Sequence, residues 1–93
     1  MTIGVVTATL VAENTFTDWI AVQGKFNVSI SGISGDTVFV QRSIDGGTTK
    51  KDVKSYTADK QESGEEIEHG WVYRIGVKTG GYNAGTILAR FSY

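Results

Sequence analysis

The chain has 93 residues, no cysteine, no proline, one histidine and a formal net charge of −1. That length holds one core, so residues 1–93 are expected to form a single domain; with 40% hydrophobic and 20% charged residues it has the balance of a globular chain, not a disordered one. The composition excludes a disulfide framework and a His/Cys zinc cage, scattered Lys and Arg leave no nucleic-acid footprint, and no apolar run approaches the ~20 residues of a membrane helix.

Two-residue alternation then runs along the whole chain. Met1–Val11 is rich in Val, Ile and Thr and reads as a strand. It is apolar on both faces, with Val5 and Val11 on one and Val6 and Leu10 on the other. Such a strand is either buried on both sides, central in a sheet, or donated to a neighbour. Phe16–Val22 is a second, less regular apolar run. Phe26, Val28 and Ile30 alternate with Asn27, Ser29 and Ser31. In Thr37–Ser43, Val38 and Val40 oppose Phe39 and Gln41. Lys50–Thr57 reads as a polar strand, with Val53 and Ser55 opposed to Lys54 and Tyr56, and Gln61–Glu68 as a weakly patterned one. Trp71, Tyr73, Ile75 and Val77 make the clearest inward face, with Arg74 and Lys78 opposite. Thr86–Tyr93 closes the chain with Ile87, Ala89, Phe91 and Tyr93 on one side. Ala58–His69 has no 3.6-residue apolar stripe, so at most one helical turn is expected there.

Glycine and asparagine punctuate these runs at Ser31–Asp36, Asp45-Gly46-Gly47, Glu68-His69-Gly70 and Thr79–Gly85, the last expected to close a hairpin. Seven or eight short strands at this spacing predict an all-β sandwich or barrel. With no proline to guard exposed edges, Lys50, Lys51 and Lys54 are expected to guard one, and neighbouring subunits the others.

No constellation reads as catalytic. Glu62, Glu65, Glu66 and Glu68 match no calcium-loop spacing and read as a solvated face. His69 sits beside Gly70 in a turn, and no serine lies in a nucleophile elbow, so a Ser/His/Asp triad has no basis. Neither a cofactor nor a metal is implied. Ser43, Asp45, Gly47 and Thr49 resemble the Asp-box of sialidase-type propellers, with Gly46 in the turn and Lys50 where that box has tryptophan. In those families the box is a structural turn, and the same role is expected here. Trp19 and Tyr82 are candidate contact aromatics, Tyr82 being expected exposed in its Gly-rich turn beside Asn83.

Trp71-Val72-Tyr73-Arg74-Ile75-Gly76-Val77, followed by Gly80 and Asn83-Ala84-Gly85-Thr86, resembles the last hairpin of fibronectin type III and other immunoglobulin-like sandwiches. A longer likeness runs from about Trp19 to Tyr93 and includes Trp19-Ile20-Ala21-Val22-Gln23-Gly24-Lys25-Phe26-Asn27-Val28-Ser29-Ile30-Ser31-Gly32, Val38-Phe39-Val40-Gln41-Arg42-Ser43-Ile44-Asp45-Gly46-Gly47, Tyr56-Thr57-Ala58-Asp59 and Tyr73-Arg74-Ile75-Gly76-Val77-Lys78-Thr79-Gly80. Its general pattern is similar to small β-sandwich structural proteins of tailed bacteriophages and prophages. The resemblance implies an immunoglobulin-like sandwich and a non-enzymatic virion component made in the host cytoplasm. The absence of any basic residue before Lys25, and so of a signal peptide's charged start, accords with that expectation. A capsid decoration or cement role is expected, with neck, tail or fibre as alternatives. A glycan-binding module using Trp19 and Tyr82 as platforms is the rival from another class. Expected partners are the major capsid protein or other virion proteins, with further copies of the chain, and neither nucleic acid nor membrane. The expected contact residues are Ile3, Val5, Val6, Leu10, Val11, Trp19, Tyr82 and Asn83.

Overall fold

The computed structural model describes residues 4–93. Nine strands follow one another without a helix among the described residues: β1 (Val5–Leu10), β2 (Thr15–Phe16), β3 (Ile20–Ala21), β4 (Gly24–Ser31), β5 (Val38–Ser43), β6 (Lys51–Tyr56), β7 (Lys60–Glu66), β8 (Val72–Val77) and β9 (Ile87–Ser92). They form two antiparallel sheets. The first has the order β1-β9-β4-β7. The second has the order β2-β8-β5-β6, and β3 also pairs with β8. Thr15–Phe16 faces Val77–Gly76 and Ile20–Ala21 faces Tyr73–Val72, so β2 and β3 are two pieces of one interrupted edge.

The alternation in the sequence becomes burial. Val28, Ile30, Val38, Val40, Ile75, Val77, Ile87, Ala89 and Phe91 point between the sheets and are buried. Phe26, Tyr73 and Phe91 meet at one end of this core, with ring centroids 4.8–5.4 Å apart. Two glycines make room for aromatic rings directly across the strand pair. Gly64 on β7 faces Phe26, and Gly76 on β8 faces Phe16. A Cβ on Gly64 would come within 2.6 Å of the Phe26 ring.

The two-sheet sandwich agrees with the sequence pattern, whereas the immunoglobulin-like strand order does not appear. In that order the last two strands are neighbours in one sheet. Here β8 and β9 lie in opposite sheets, so Thr79–Gly85 is a crossover and not a hairpin. Among the described residues, only β5 and β6 are both consecutive and paired. Counting β2 and β3 as one position, the two four-stranded orders are those of a jelly roll, two Greek keys folded together. Alternation tells which face of a strand is buried, but not which strand lies beside it.

β1 also differs from expectation. It is neither central nor buried on both sides; it is the edge of the first sheet. Leu10 is 1% exposed and belongs to the core, so it is not a contact residue, and the half-buried Val6 packs against that core. Val5 and Val11 are exposed. Ile3 and the start of the expected Met1–Val11 strand lie outside the described residues.

Candidate functional site

The outer face of the first sheet is built by four strands with short uncharged side chains. Strand alternation turns Val5, Thr7 and Thr9 of β1 outward, with Asn27, Ser29 and Ser31 of β4. Register places them in rows. Thr7 faces Arg90 and Arg90 faces Ser29; Thr9 faces Leu88 and Leu88 faces Ser31. Leu88 is 55% exposed and stands beside Arg90 over a shallow trough of about 590 Å³ bounded by these hydroxyl residues. The charges on this face are Arg90 and, at the far corner, Lys25 opposite Glu65. A sheet face of Thr, Ser and Asn offers adaptable hydrogen bonding with little charge to desolvate.

The loops at one end are locked. Asp36 is 1% exposed, and its carboxylate accepts the amides of Ser34 at 2.7 Å, Gly85 at 3.0 Å and Asn83. Burial pushes its pKa up, but these amides and that of Ala84 outweigh it and leave the carboxyl below its ordinary value. One buried carboxylate thus ties the β4–β5 and β8–β9 connections together. Gly32 takes a positive φ of 86° here, and a Cβ on it would collide with the Thr86 carbonyl. Tyr82 differs from its expected exposure: it is half-buried against the core, and its hydroxyl donates to the Gly85 carbonyl at 2.8 Å. Asn83 is exposed, but its side-chain amide donates to the Ser34 carbonyl.

The opposite end holds the Asp-box-like turn. The Ser43 hydroxyl donates to Asp45 Oδ1 at 2.6 Å and accepts the amide of Gly47 at 2.8 Å; Asp45 Oδ1 accepts the amide of Thr49 at 2.7 Å. The Ser43 hydroxyl, then the Thr49 amide and side chain, hold the Asp45 pKa at about 2. Gly46 and Gly47 both have positive φ, and the Trp19 indole lies so close to Gly47 that a Cβ there would clash. Trp19 itself is half-buried. It lies outside the second sheet, where the Arg74 guanidinium stands 4.6 Å from its ring and 3.7 Å from that of Phe16. Trp19 adjoins β3 and the turn after β5, whereas Tyr82 follows β8 at the other end, so the fold does not bring the two expected platforms together.

A cleft the sequence did not disclose opens between the β6 and β7 edges, about 390 Å³, floored by Phe26, Val28, Val40 and Tyr73. Glu66, read from sequence as solvated, is 4% exposed. Its Oε1 accepts the Tyr73 hydroxyl at 2.7 Å and pairs with the Arg42 guanidinium at 2.7 Å, which stacks 4.0 Å over Trp71. Burial pushes the Glu66 carboxyl up, and Tyr73, the Glu68 amide and Arg42 bring it below the ordinary range. A parallel set joins Glu62 to Lys54 at 2.7 Å and to the Tyr56 hydroxyl at 3.0 Å. Burial first, then the neighbouring carboxylate, pushes each of Tyr56 and Tyr73 up to about 12. Period-two reading of β7 puts Glu62, Gly64 and Glu66 on the inner face, and that was the available signal. Glu65 and Glu68 are exposed. His69 is exposed with its Nε2 3.0 Å from the Gln23 amide nitrogen. Among the described residues no three His, Cys, Asp or Glu side chains converge to hold a metal ion.

No family model matches the chain, and no curated protein matches its sequence. Among solved structures it is similar to the crystal structure of the Yersinia pseudotuberculosis-derived mitogen, with a TM-score of 0.57 and 16% identity over 98% of this chain and 84% of that one. At that identity the likeness is one of fold.

Proposed function

We propose that the chain is a non-enzymatic assembly protein, a decoration or cement component of a tailed-phage virion, that lays the outer face of its first sheet on the major capsid protein. The observation that carries this reading is that face itself: Thr7, Thr9, Asn27, Ser29 and Ser31 line it, Leu88 stands exposed between Thr9 and Ser31, and Arg90 between Thr7 and Ser29 is the one charge among them. A standard interface of ~800 Å² per partner takes about 15% of the 5287 Å² surface, which a face of four strands can supply. The jelly roll is an architecture used by viral capsid domains.

The polar groups of the inter-sheet cleft favour a structural role over chemistry. Tyr56 and Tyr73 have pKa values raised to about 12, and Glu62 and Glu66 are each engaged by a tyrosine and a cation. The glycan-binding rival loses its groove, because Trp19 and Tyr82 lie at opposite ends. The mitogenic activity named for the fold neighbour is left with that protein, since the likeness is of fold alone.

Particles of the encoding phage are the test. They should contain the chain on their heads in icosahedral copy number, and heads lacking it should bind it saturably and gain heat resistance. Leu88→Asp, at an exposed position, should abolish that binding and leave Tm within a few degrees. Its absence from particles, or heads equally heat-resistant without it, overturns the cement role; a threefold or sixfold ring moves it to neck or tail.

A further inference from the structure

Each sheet edge exposes unpaired backbone groups, and folded proteins guard such edges with charge, bulges, proline or brevity. Three of the four edges here are guarded. β2 and β3 are two residues each, separated by Thr17–Trp19. β6 carries Lys51 and Lys54 and meets β5 at a register shift between Val40 and Gln41. β7 carries Lys60, Glu62, Glu65 and Glu66. β1 has none of these devices. It is six residues long, pairs with β9 in unbroken register from Val5↔Ser92 to Leu10↔Ile87, and contains no charge, glycine or proline.

The direction of its free groups follows from one hydrogen bond. The Tyr93 amide donates to the Gly4 carbonyl at 2.9 Å, so Gly4 and Tyr93 are a hydrogen-bonded pair. Antiparallel alternation then makes Val6, Ala8 and Leu10 the residues that bond to β9. The N–H and C=O groups of Val5, Thr7 and Thr9 point away from the sheet, and among the described residues no strand meets them.

We infer that β1 is a self-pairing edge: two copies of this chain join β1 to β1 in antiparallel register about a twofold axis at Thr7. Thr7 then faces Thr7 of the second copy, and Val5 faces its Thr9. The two four-stranded sheets become one continuous sheet. Charge selects the occupant. A β6–β6 contact brings together two strands that each carry Lys51 and Lys54, and a β7–β7 contact two strands that each carry Glu62, Glu65 and Glu66, whereas β1 meets its copy with no charge, and Thr–Thr contacts suit a cross-strand pair. The pairing rests on the edge alone, not on the virion reading; a dimer that ignores capsids and a capsid-bound monomer are separable results.

Sedimentation equilibrium of the full chain should show a dimer that dissociates on dilution. Thr7→Lys alone and Thr7→Glu alone should each sediment as monomers, and an equimolar mixture of the two should recover the dimer, because only the proposed register puts position 7 against itself. Lys51→Glu on the β6 edge should leave the dimer unchanged. Hydrogen exchange on the unmodified chain gives a readout independent of the variants: the Val5, Thr7 and Thr9 amides should slow as concentration rises. A chain monomeric at millimolar concentration, a dimer indifferent to both Thr7 variants, a mixture that stays monomeric, or those three amides exchanging fast at all concentrations overturns the proposal.

Discussion

Glu66 shows what a single side chain decides in this fold. It sits at the inner end of β7, 4% exposed, and holds Tyr73 and Arg42 with the same oxygen. Glu66→Gln keeps its shape and removes its charge. We expect a loss of about 1–3 kcal/mol in urea unfolding, the cost of leaving buried polar partners imperfectly satisfied. The larger loss of a fully buried pair is not expected, because the Arg42 side chain is 35% exposed and partly solvated. The pH dependence follows from the same kind of contact. Asp36, Asp45, Asp52, Glu62 and Glu66 all have lowered pKa values in the folded state. Each stabilises the fold above its unfolded value, near 3.8 for Asp and 4.5 for Glu, and loses that contribution as pH falls through its folded value. Tm should therefore hold steady from neutral pH to about pH 5 and decline below it, down to the pH of about 2 where Asp45 protonates. Asp45→Asn should flatten the last part of that decline. At the alkaline end the sign reverses. Tyr56 and Tyr73 ionise at about 12 in the fold against 10 unfolded, so their contribution is full below pH 10 and lost between 10 and 12. Absorbance titration should show the raised phenols, and Tyr73→Phe should remove one of them.

At the level of strands, two facing pairs of glycine and aromatic hold the sandwich in register. Phe26 lies across Gly64 and packs 5.2 Å from Tyr73 and 4.8 Å from Phe91, so it can give way only toward the inter-sheet cleft, at the cost of those aromatic contacts. Gly64→Ala should cost about 1–3 kcal/mol by overpacking, although alanine is the better strand residue at an ordinary site. Calorimetry would show a lower Tm; an unchanged or raised one would mean that the ring moves freely. The strands themselves were legible. Val38 and Val40, and Tyr73, Ile75 and Val77, point inward as their alternation indicates, because each must bury an apolar face. The pairing of those strands was not legible. The segment from Trp71 to Val77 reads like the penultimate strand of an immunoglobulin-like hairpin, yet it lies in the middle of the second sheet with β9 in the other. Local pattern is identical in both arrangements, since each gives β8 one buried face.

For the whole molecule, stability and association are linked. A 93-residue chain without disulfide or metal buries only about 60–65% of its unfolded surface and has a thin margin. If copies pair through β1, binding adds to the folded state alone, so Tm should rise with protein concentration and the Thr7→Lys variant should lose that dependence. Scanning calorimetry over a hundredfold concentration range checks both. Composition and alternation by themselves determined an all-β domain, the inward residues of the central strands and the glycine-bearing turns, because burial and backbone sterics act over a few neighbouring residues. Tertiary structure alone decided the jelly-roll order, the edge position of β1, the burial of Glu66 and Asp36, and the separation of Trp19 from Tyr82. Each of these depends on which distant segment comes to lie alongside, such as Asn83 on Asp36 across 47 residues, and no local period carries that information.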